Sequence, residues 1–136
     1  MKKKYILSFT QNSVNKPITY ELIKKFNIKI NIIKANISAD EAGHLLVEFD
    51  ADKDSLDKCL EYLGKNNVDY VPAEKKILFD EENCVNCGSC TAVCFAEALA
   101  LDRETRELVF KPEKCVFCKL CVKACPLGLF EIHFNE

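Results

Sequence analysis

Cys84, Cys87, Cys90 and Cys94 recur as Cys115, Cys118, Cys121 and Cys125, each 31 positions after its counterpart. Both runs have the spacing C-x2-C-x2-C-x3-C, and no other feature of the 136 residues restricts the fold as much. Nine cysteines in a short secreted chain would suggest a disulfide scaffold. The start argues against secretion. Met1-Lys2-Lys3-Lys4 is basic, but the apolar stretch after it is interrupted by Ser8, Thr10 and Gln11. It is too short for a signal-peptide core and alternates as a strand does. No run approaches the ~18 apolar residues of a membrane span. The expected location is cytoplasmic, where thiols stay reduced and closely spaced cysteines indicate metal.

The spacing is a known signature of [4Fe–4S] ligation, in which the fourth cysteine of each run serves the other cluster. Three cysteines at x2 intervals let one loop wrap a corner of the cubane. On that pattern cluster I takes Cys84, Cys87, Cys90 and Cys125, and cluster II takes Cys115, Cys118, Cys121 and Cys94. The fourth cysteine is expected to begin a helix and point away from its own loop. Neither run lacks a member, so two [4Fe–4S] clusters are expected. Zinc sites typically use two separated C-x2-C pairs and would leave the triplets unexplained. Each oxidised cubane with its four thiolates adds a charge of roughly −2 to the formal −2 of the chain. With no basic stripe or nucleic-acid motif, binding to nucleic acid is not expected.

The duplication extends beyond the cysteines. Ile77-Leu78-Phe79 matches Leu108-Val109-Phe110, Glu82 matches Glu113, and Ala98-Leu99-Ala100-Leu101 answers Leu129-Phe130-Glu131-Ile132. Each half is expected to form a strand, a cysteine loop, a short helix and a strand, the halves related by a pseudo-twofold axis. Pro126 follows the second run, whereas Phe95 stands after the first and is expected to pack over cluster II. Gly88 occupies a tight turn whose counterpart is Lys119, a residue suited to tuning cluster II or to solvent. Asp80, Glu81, Glu82 and Glu97 lie in the first half; Lys111, Lys114, Lys119 and Lys123 lie in the second. Opposite charge on the two ends would orient partners.

The chain changes character near Pro72, giving two expected domains, residues 1–73 and 74–136. Lys4 to Thr10 alternates as a half-buried strand. Pro17 opens a helix with Ile18, Leu22, Ile23 and Phe26 at helical spacing. Ile28 to Ile37 and Leu45 to Phe49 read as strands before and beyond the turn Asp40-Glu41-Ala42-Gly43. Asp54 or Ser55 is the expected cap of a second helix (Leu56, Cys59, Leu60, Leu63) that stops at Gly64, before a last strand Val68 to Val71. The order βαββαβ is that of the ferredoxin-like sandwich, so the fold class is α+β with two ferredoxin-like units. The second sheet face is apolar too. It calls for a cover (the cysteine domain, a second copy forming a homodimer, or a partner) or else a bulge that shifts the register.

Asn31-Ile32-Ile33, within Ile30 to Ile37, together with Pro17-Ile18, Ala35 and Ile37, resembles the NIL domain, named for Asn-Ile-Leu. NIL domains end methionine-importer ATPases, where they bind the amino acid, and they front small two-cluster ferredoxins. The whole chain is similar to the latter. The resemblance implies an electron carrier of anaerobic microbes. Its partner would be an enzyme that forms homocysteine by placing sulfide on aspartate semialdehyde, with the ferredoxin reducing a disulfide or persulfide there.

No nucleophile–base pair, phosphate loop or catalytic carboxylate pair is visible, so the chain by itself is not expected to be an enzyme. Cys59 sits at an apolar helix position and reads as core. His133 reads as an exposed strand residue and His44 as a turn residue. Asp50, Asp52, Asp54 and Asp57 read as a loop and helix start, because the turn glycine and terminal Glu of a calcium loop are missing. The readings left open are an electron carrier, a sulfur-amino-acid sensor that gates electron flow, and a structural iron–sulfur subunit.

Overall fold

The computed structural model describes residues 2–10, 15–37 and 42–134. The chain parts into two compact units between Ala73 and Glu74. Among the described residues, no helix is long and apolar enough to cross a membrane.

The first unit runs β1 (Lys2–Phe9), α1 (Ile18–Phe26), β2 (Lys29–Asn36), β3 (Gly43–Asp50), α2 (Lys53–Lys65) and β4 (Asp69–Pro72). Its sheet has the order β2-β3-β1-β4, and every neighbouring pair is antiparallel. Period-2 alternation puts Tyr5, Leu7 and Phe9 on one face beside Leu45, Val47 and Phe49. Ile18 and Leu22 of α1 and Leu56, Cys59 and Leu63 of α2 close that core. Each such fully buried side chain contributes about 1.5–3 kcal/mol of transfer free energy. Ile6 and Leu46 lie on the opposite face and are buried as well.

The register of β2 shifts between Ile32 and Lys34: Ile32 pairs with Val47 and Lys34 with Leu46, leaving Ile33 as the extra residue. The bulge moves Ala35 onto the face of Leu45, so the alternation of the isoleucines does not persist along the strand. As an edge strand, β2 leaves Ile32 and Ile37 about half exposed.

Several local readings change. In α1, Ile18 and Leu22 are buried and Phe26 packs against the same core, whereas Ile23 is exposed because it lies off that i, i+4, i+8 row. Helix α2 is capped by Asp52, whose Oδ1 accepts from the Ser55 N–H at 2.8 Å, rather than by Asp54 or Ser55. Gly64 lies inside α2. The helix stops at Asn66, whose Nδ2 donates to the Tyr62 carbonyl, and Asn67 takes the left-handed conformation expected of a glycine. His44 belongs to β3, with Nδ1 3.2 Å from Ser8 Oγ, rather than to a turn. Asp40 and Glu41 of the expected turn lie outside the described residues.

The second unit contains β5 (Ile77–Phe79), β6 (Leu99–Leu101), β7 (Leu108–Phe110), α3 (Leu120–Ala124) and β8 (Phe130–Ile132). Short 3₁₀ turns span Ala73–Lys76, Ser89–Ala92 and Pro112–Lys114. The strands form two antiparallel pairs, β5 with β8 and β6 with β7. In each pair one strand comes from the first copy of the 31-residue repeat and one from the second. Ile77 faces Ile132 as Leu108 faces Leu101, and Phe79 faces Phe130 as Phe110 faces Leu99. The repeat reaches the connecting bonds too: the Asp80 N–H donates to the Leu129 carbonyl as the Lys111 N–H does to Ala98. Phe79 and Phe130 stack at 4.4 Å, with Phe110 edge-on to both at 6.0 Å. His133 follows β8 and is half-buried, its Nε2 3.5 Å from Glu131 Oε2.

Candidate metal centre

The loops that carry the cysteines are shaped by left-handed residues at equivalent places in the two copies. Asn86 (φ 57°) and Phe117 (φ 61°) correspond, as do Gly88 (φ 76°) and Lys119 (φ 64°), and Glu97 (φ 58°) and Gly128 (φ 64°). Runs of this kind turn successive backbone N–H groups inward and form concavities that bind anions and iron–sulfur groups. The Asn86 N–H donates to Cys84 Sγ at 3.4 Å, and the Phe117 N–H donates to Cys115 Sγ at the same distance. A side-chain bond ties the copies together: Asn86 Oδ1 accepts from the Leu108 N–H at 2.8 Å.

Cys94 from the first run and Cys115, Cys118 and Cys121 from the second line one cavity. Its wall is otherwise apolar, with Ile77, Phe110 and Phe130, and its one charged lining residue is Lys119. The other four also gather. Burial pushes the Cys90 thiol up, and the nearby thiols of Cys84, Cys125 and Cys87 push it the same way, against a backbone hydrogen bond that lowers it. Cys121, half-buried and close to Cys115, Cys118 and Cys90, is pushed up to about 12, desolvation first among the causes. Hydrogen bonding from the Ser89 backbone and hydroxyl holds Cys87 below the usual thiol range. Cys90, Cys94, Cys121 and Cys125 pack into one apolar cluster with Leu99 and Phe130, so the two sets share a wall.

Among the described residues, no three of His, Cys, Asp and Glu converge as the donors of a single ion would. The donor set at the cavity, four thiols with no imidazole or carboxylate, fits a [4Fe–4S] cluster. Raised thiol pKa values mean that bare thiolates are unfavourable at these positions. Metal coordination deprotonates them outright.

Two expectations change at the site. The short helices hold the third cysteine of each run, Cys90 and Cys121, and end before the fourth, so Cys94 and Cys125 follow a helix rather than begin one. Phe95 is 70% exposed, so no protein side chain buries it. The left-handed residues Phe117, Lys119 and Glu97 carry no propensity signal of their own. Their counterparts Asn86, Gly88 and Gly128 tolerate that conformation, so comparing the copies reveals it. In the first unit Cys59 is fully buried, and desolvation pushes its thiol up to about 11.

Fold and site define a two-part iron–sulfur protein, an α/β sheet unit followed by a cysteine-rich [4Fe–4S] unit. The profile of the NIL domain matches residues 3–71, and that of the 4Fe-4S dicluster domain matches residues 83–129. The chain belongs to the NIL-domain family of [4Fe–4S] proteins that includes the L-aspartate semialdehyde sulfurtransferase iron-sulfur subunit of Methanocaldococcus jannaschii. It is 38% identical to that protein over 105 residues, 76% of this chain and 78% of the relative. It is also 33% identical over 67 residues to the methionine import ATP-binding protein MetN of Helicobacter hepaticus; the match spans 47% of this chain but 19% of that protein. A solved C-terminal domain of an ABC transporter ATP-binding protein from Enterococcus faecalis aligns over 52% of this chain and 81% of its own, with a TM-score of 0.47 and 22% identity.

Proposed function

We propose that residues 74–136 form a pseudo-twofold domain holding two [4Fe–4S] clusters, and that the chain passes single electrons to a sulfurtransferase acting on L-aspartate semialdehyde. Cys84, Cys87, Cys90 and Cys125 would hold one cluster, and Cys94, Cys115, Cys118 and Cys121 the other. The observation that carries this reading is the cavity lined by cysteines of both runs, Cys94 with Cys115, Cys118 and Cys121. When bound, the clusters supply one-electron chemistry at low potential. The chain's own residues do the rest. The Asn86 and Phe117 amides hold ligand sulfurs in place, and the aromatic trio Phe79, Phe110 and Phe130 keeps water from the shared wall.

At the partner, two electrons and two protons would cleave one sulfur–sulfur bond, giving two thiols from a disulfide, or a thiol and hydrogen sulfide from a persulfide. Residues 1–73, the NIL-like unit, serve as the docking module in a cytoplasmic complex. The test is anaerobic. The reconstituted protein is analysed for iron and sulfide, reduced, and mixed with the sulfurtransferase, L-aspartate semialdehyde and a sulfide source. Cluster absorbance returns as homocysteine forms; clusters that stay reduced under turnover would sink the proposal.

A second reading rests on a cavity in the first unit, lined by Phe9, Lys16, Ile18, Thr19, Ile37 and Leu45. Apolar walls with an ammonium and a hydroxyl suit a small amino acid that gates electron flow. Calorimetry of the holo-protein with methionine and homocysteine decides it, and absence of heat disposes of it.

A further inference from the structure

The two cysteine loops share their left-handed turns and differ in charge. Residues 80–94 carry Asp80, Glu81 and Glu82 with no cation, net three negative charges. The equivalent residues 111–125 carry Lys111, Lys114, Lys119 and Lys123 against Glu113, net three positive charges. Most of these side chains are exposed, and solvent and salt screen them. The groups lining the cavities lie nearest the thiols, and among them screening weakens the exposed Glu81 and Glu107 more than the half-buried Lys119. The cavity of Cys94, Cys115, Cys118 and Cys121 has Lys119 as its one charged lining residue. The cleft beside Cys84 is lined by Glu81 and Glu107, with no cation. Lys119 is only partly exposed, and no ion pair involving it is found among the described residues.

Reduction adds a negative charge to a site. A neighbouring ammonium favours the reduced form, and neighbouring carboxylates disfavour it. Resting on the two-cluster reading, we propose that Lys119 raises the potential at the Cys115 loop while Glu81 and Glu107 lower it at the Cys84 loop, so that the chain conducts in one direction. An electron from a low-potential one-electron donor enters at the Cys84 end, which is then oxidised as the Cys115 end is reduced. No bond breaks and no proton moves in that step. Electrons therefore collect at the Cys115 end, whose loop also carries the exposed Lys111, Lys114 and Lys123, and an acidic partner surface would receive them there. The placement explains a residue the backbone does not favour. Lys119 adopts φ 64°, ψ 11°, where its counterpart is glycine.

The experiment is an anaerobic redox titration of the holo-protein, followed by electron paramagnetic resonance, on preparations first assayed for iron and sulfide. The wild type gives two separate one-electron waves. Lys119→Gly, which suits the left-handed backbone and keeps the fold, lowers the upper wave and leaves the lower one in place. The change in electron partition is on the order of tenfold, or about 59 mV for one electron. Lys119→Arg retains the wild-type upper wave. Glu81→Gln with Glu107→Gln raises the lower wave. The proposal is overturned if Lys119→Gly moves neither wave, or if the lysine and glutamate variants move the same one. Iron and sulfide sufficient for only one cluster would remove the two-cluster reading and this proposal with it, an outcome distinct from two clusters with unmoved waves.

Discussion

Gly88 tests how tightly the first cysteine loop is built. Its φ of 76° already favours glycine, and a Cβ there would lie 2.9 Å from Leu101 Cδ1 and 3.5 Å from Leu101 Cγ. Alanine in the left-handed region costs about 1–2 kcal/mol, of which its smaller unfolded-state entropy returns about 0.4–1 kcal/mol. Leu101 must then leave its rotamer, which adds about 0.5–1.5 kcal/mol. Gly88→Ala should therefore destabilise by about 2 kcal/mol. Gly128 is the internal control: it has φ 64°, but a Cβ there meets nothing within 4 Å. Gly128→Ala bears the backbone term alone, about 1 kcal/mol. The remaining difference of about 1 kcal/mol corresponds to about fivefold. Loss of iron–sulfur protein is operationally a rate, so the assay is anaerobic decay of cluster absorbance in a fixed concentration of guanidinium. The expected order is Gly88→Ala fastest, then Gly128→Ala, then wild type. Adding Leu101→Ala should bring Gly88→Ala closer to Leu101→Ala alone than additivity allows. Equal decay of the two glycine variants, or no coupling to Leu101, would refute the steric argument.

Chelating the iron should unfold the second unit, because its apolar cluster, built on Cys90, Leu99 and Phe130, also takes in Cys94, Cys121 and Cys125, so that four of the proposed ligands belong to it; persistent amide protection in residues 74–134 after chelation would contradict this. Cys59, fully buried with its thiol at about 11, should resist alkylation at neutral pH while the first unit is folded, and Cys59→Ser should destabilise more than Cys59→Ala because it buries a hydroxyl. Asp52 is held below the usual carboxylate range by the Ser55 side chain and backbone. Its support of α2 is therefore present above the unfolded pKa of about 3.9 and is lost as pH falls through the lower folded value. Hydrogen exchange in α2 should separate Asp52→Ala from wild type at pH 6, with the gap closing in acid.

Much of the first unit was legible because periodicity is a strong signal where one face is buried. Tyr5, Leu7 and Phe9 announce β1, and Leu56, Cys59 and Leu63 announce α2. The boundaries of α2 were not, because Asp50, Asp52, Asp54 and Ser55 crowd its start and any of them has the chemistry of a cap. At its end Gly64 looked like a stop, yet a glycine within a helix costs only about 1 kcal/mol, and Asn67 could take the left-handed position instead. A bulge was one of the two readings of the long isoleucine strand, but its place at Ile33 was not legible, since every residue there suits either face. At the centre, the spacing of the cysteines named eight residues that the structure gathers in two adjoining sets. It could not tell that Phe95 points to solvent, because exposure is set by neighbours rather than by residue type.

The duplication explains why a poor local choice persists in each loop. At all three left-handed pairs, one copy holds a residue that tolerates the conformation and the other does not: Asn86 against Phe117, Gly88 against Lys119, Gly128 against Glu97. Had the conformation followed from propensity, the two copies would differ in backbone wherever they differ in sequence. They do not. The amide-to-sulfur bonds at Asn86 and Phe117 match at 3.4 Å despite the change of side chain. The common requirement is therefore the inward-facing amides, and strain at Phe117, Lys119 and Glu97 is the cost of meeting it. That leaves the side chains at these positions free to diverge, since their backbone role is already fulfilled. In the second loop the divergence placed a fully buried phenylalanine and a lysine beside the thiols, where the first loop has an exposed asparagine and a glycine. Two loops with one backbone thus present different surroundings to the same chemistry, and such inequivalence is what a one-way electron path requires.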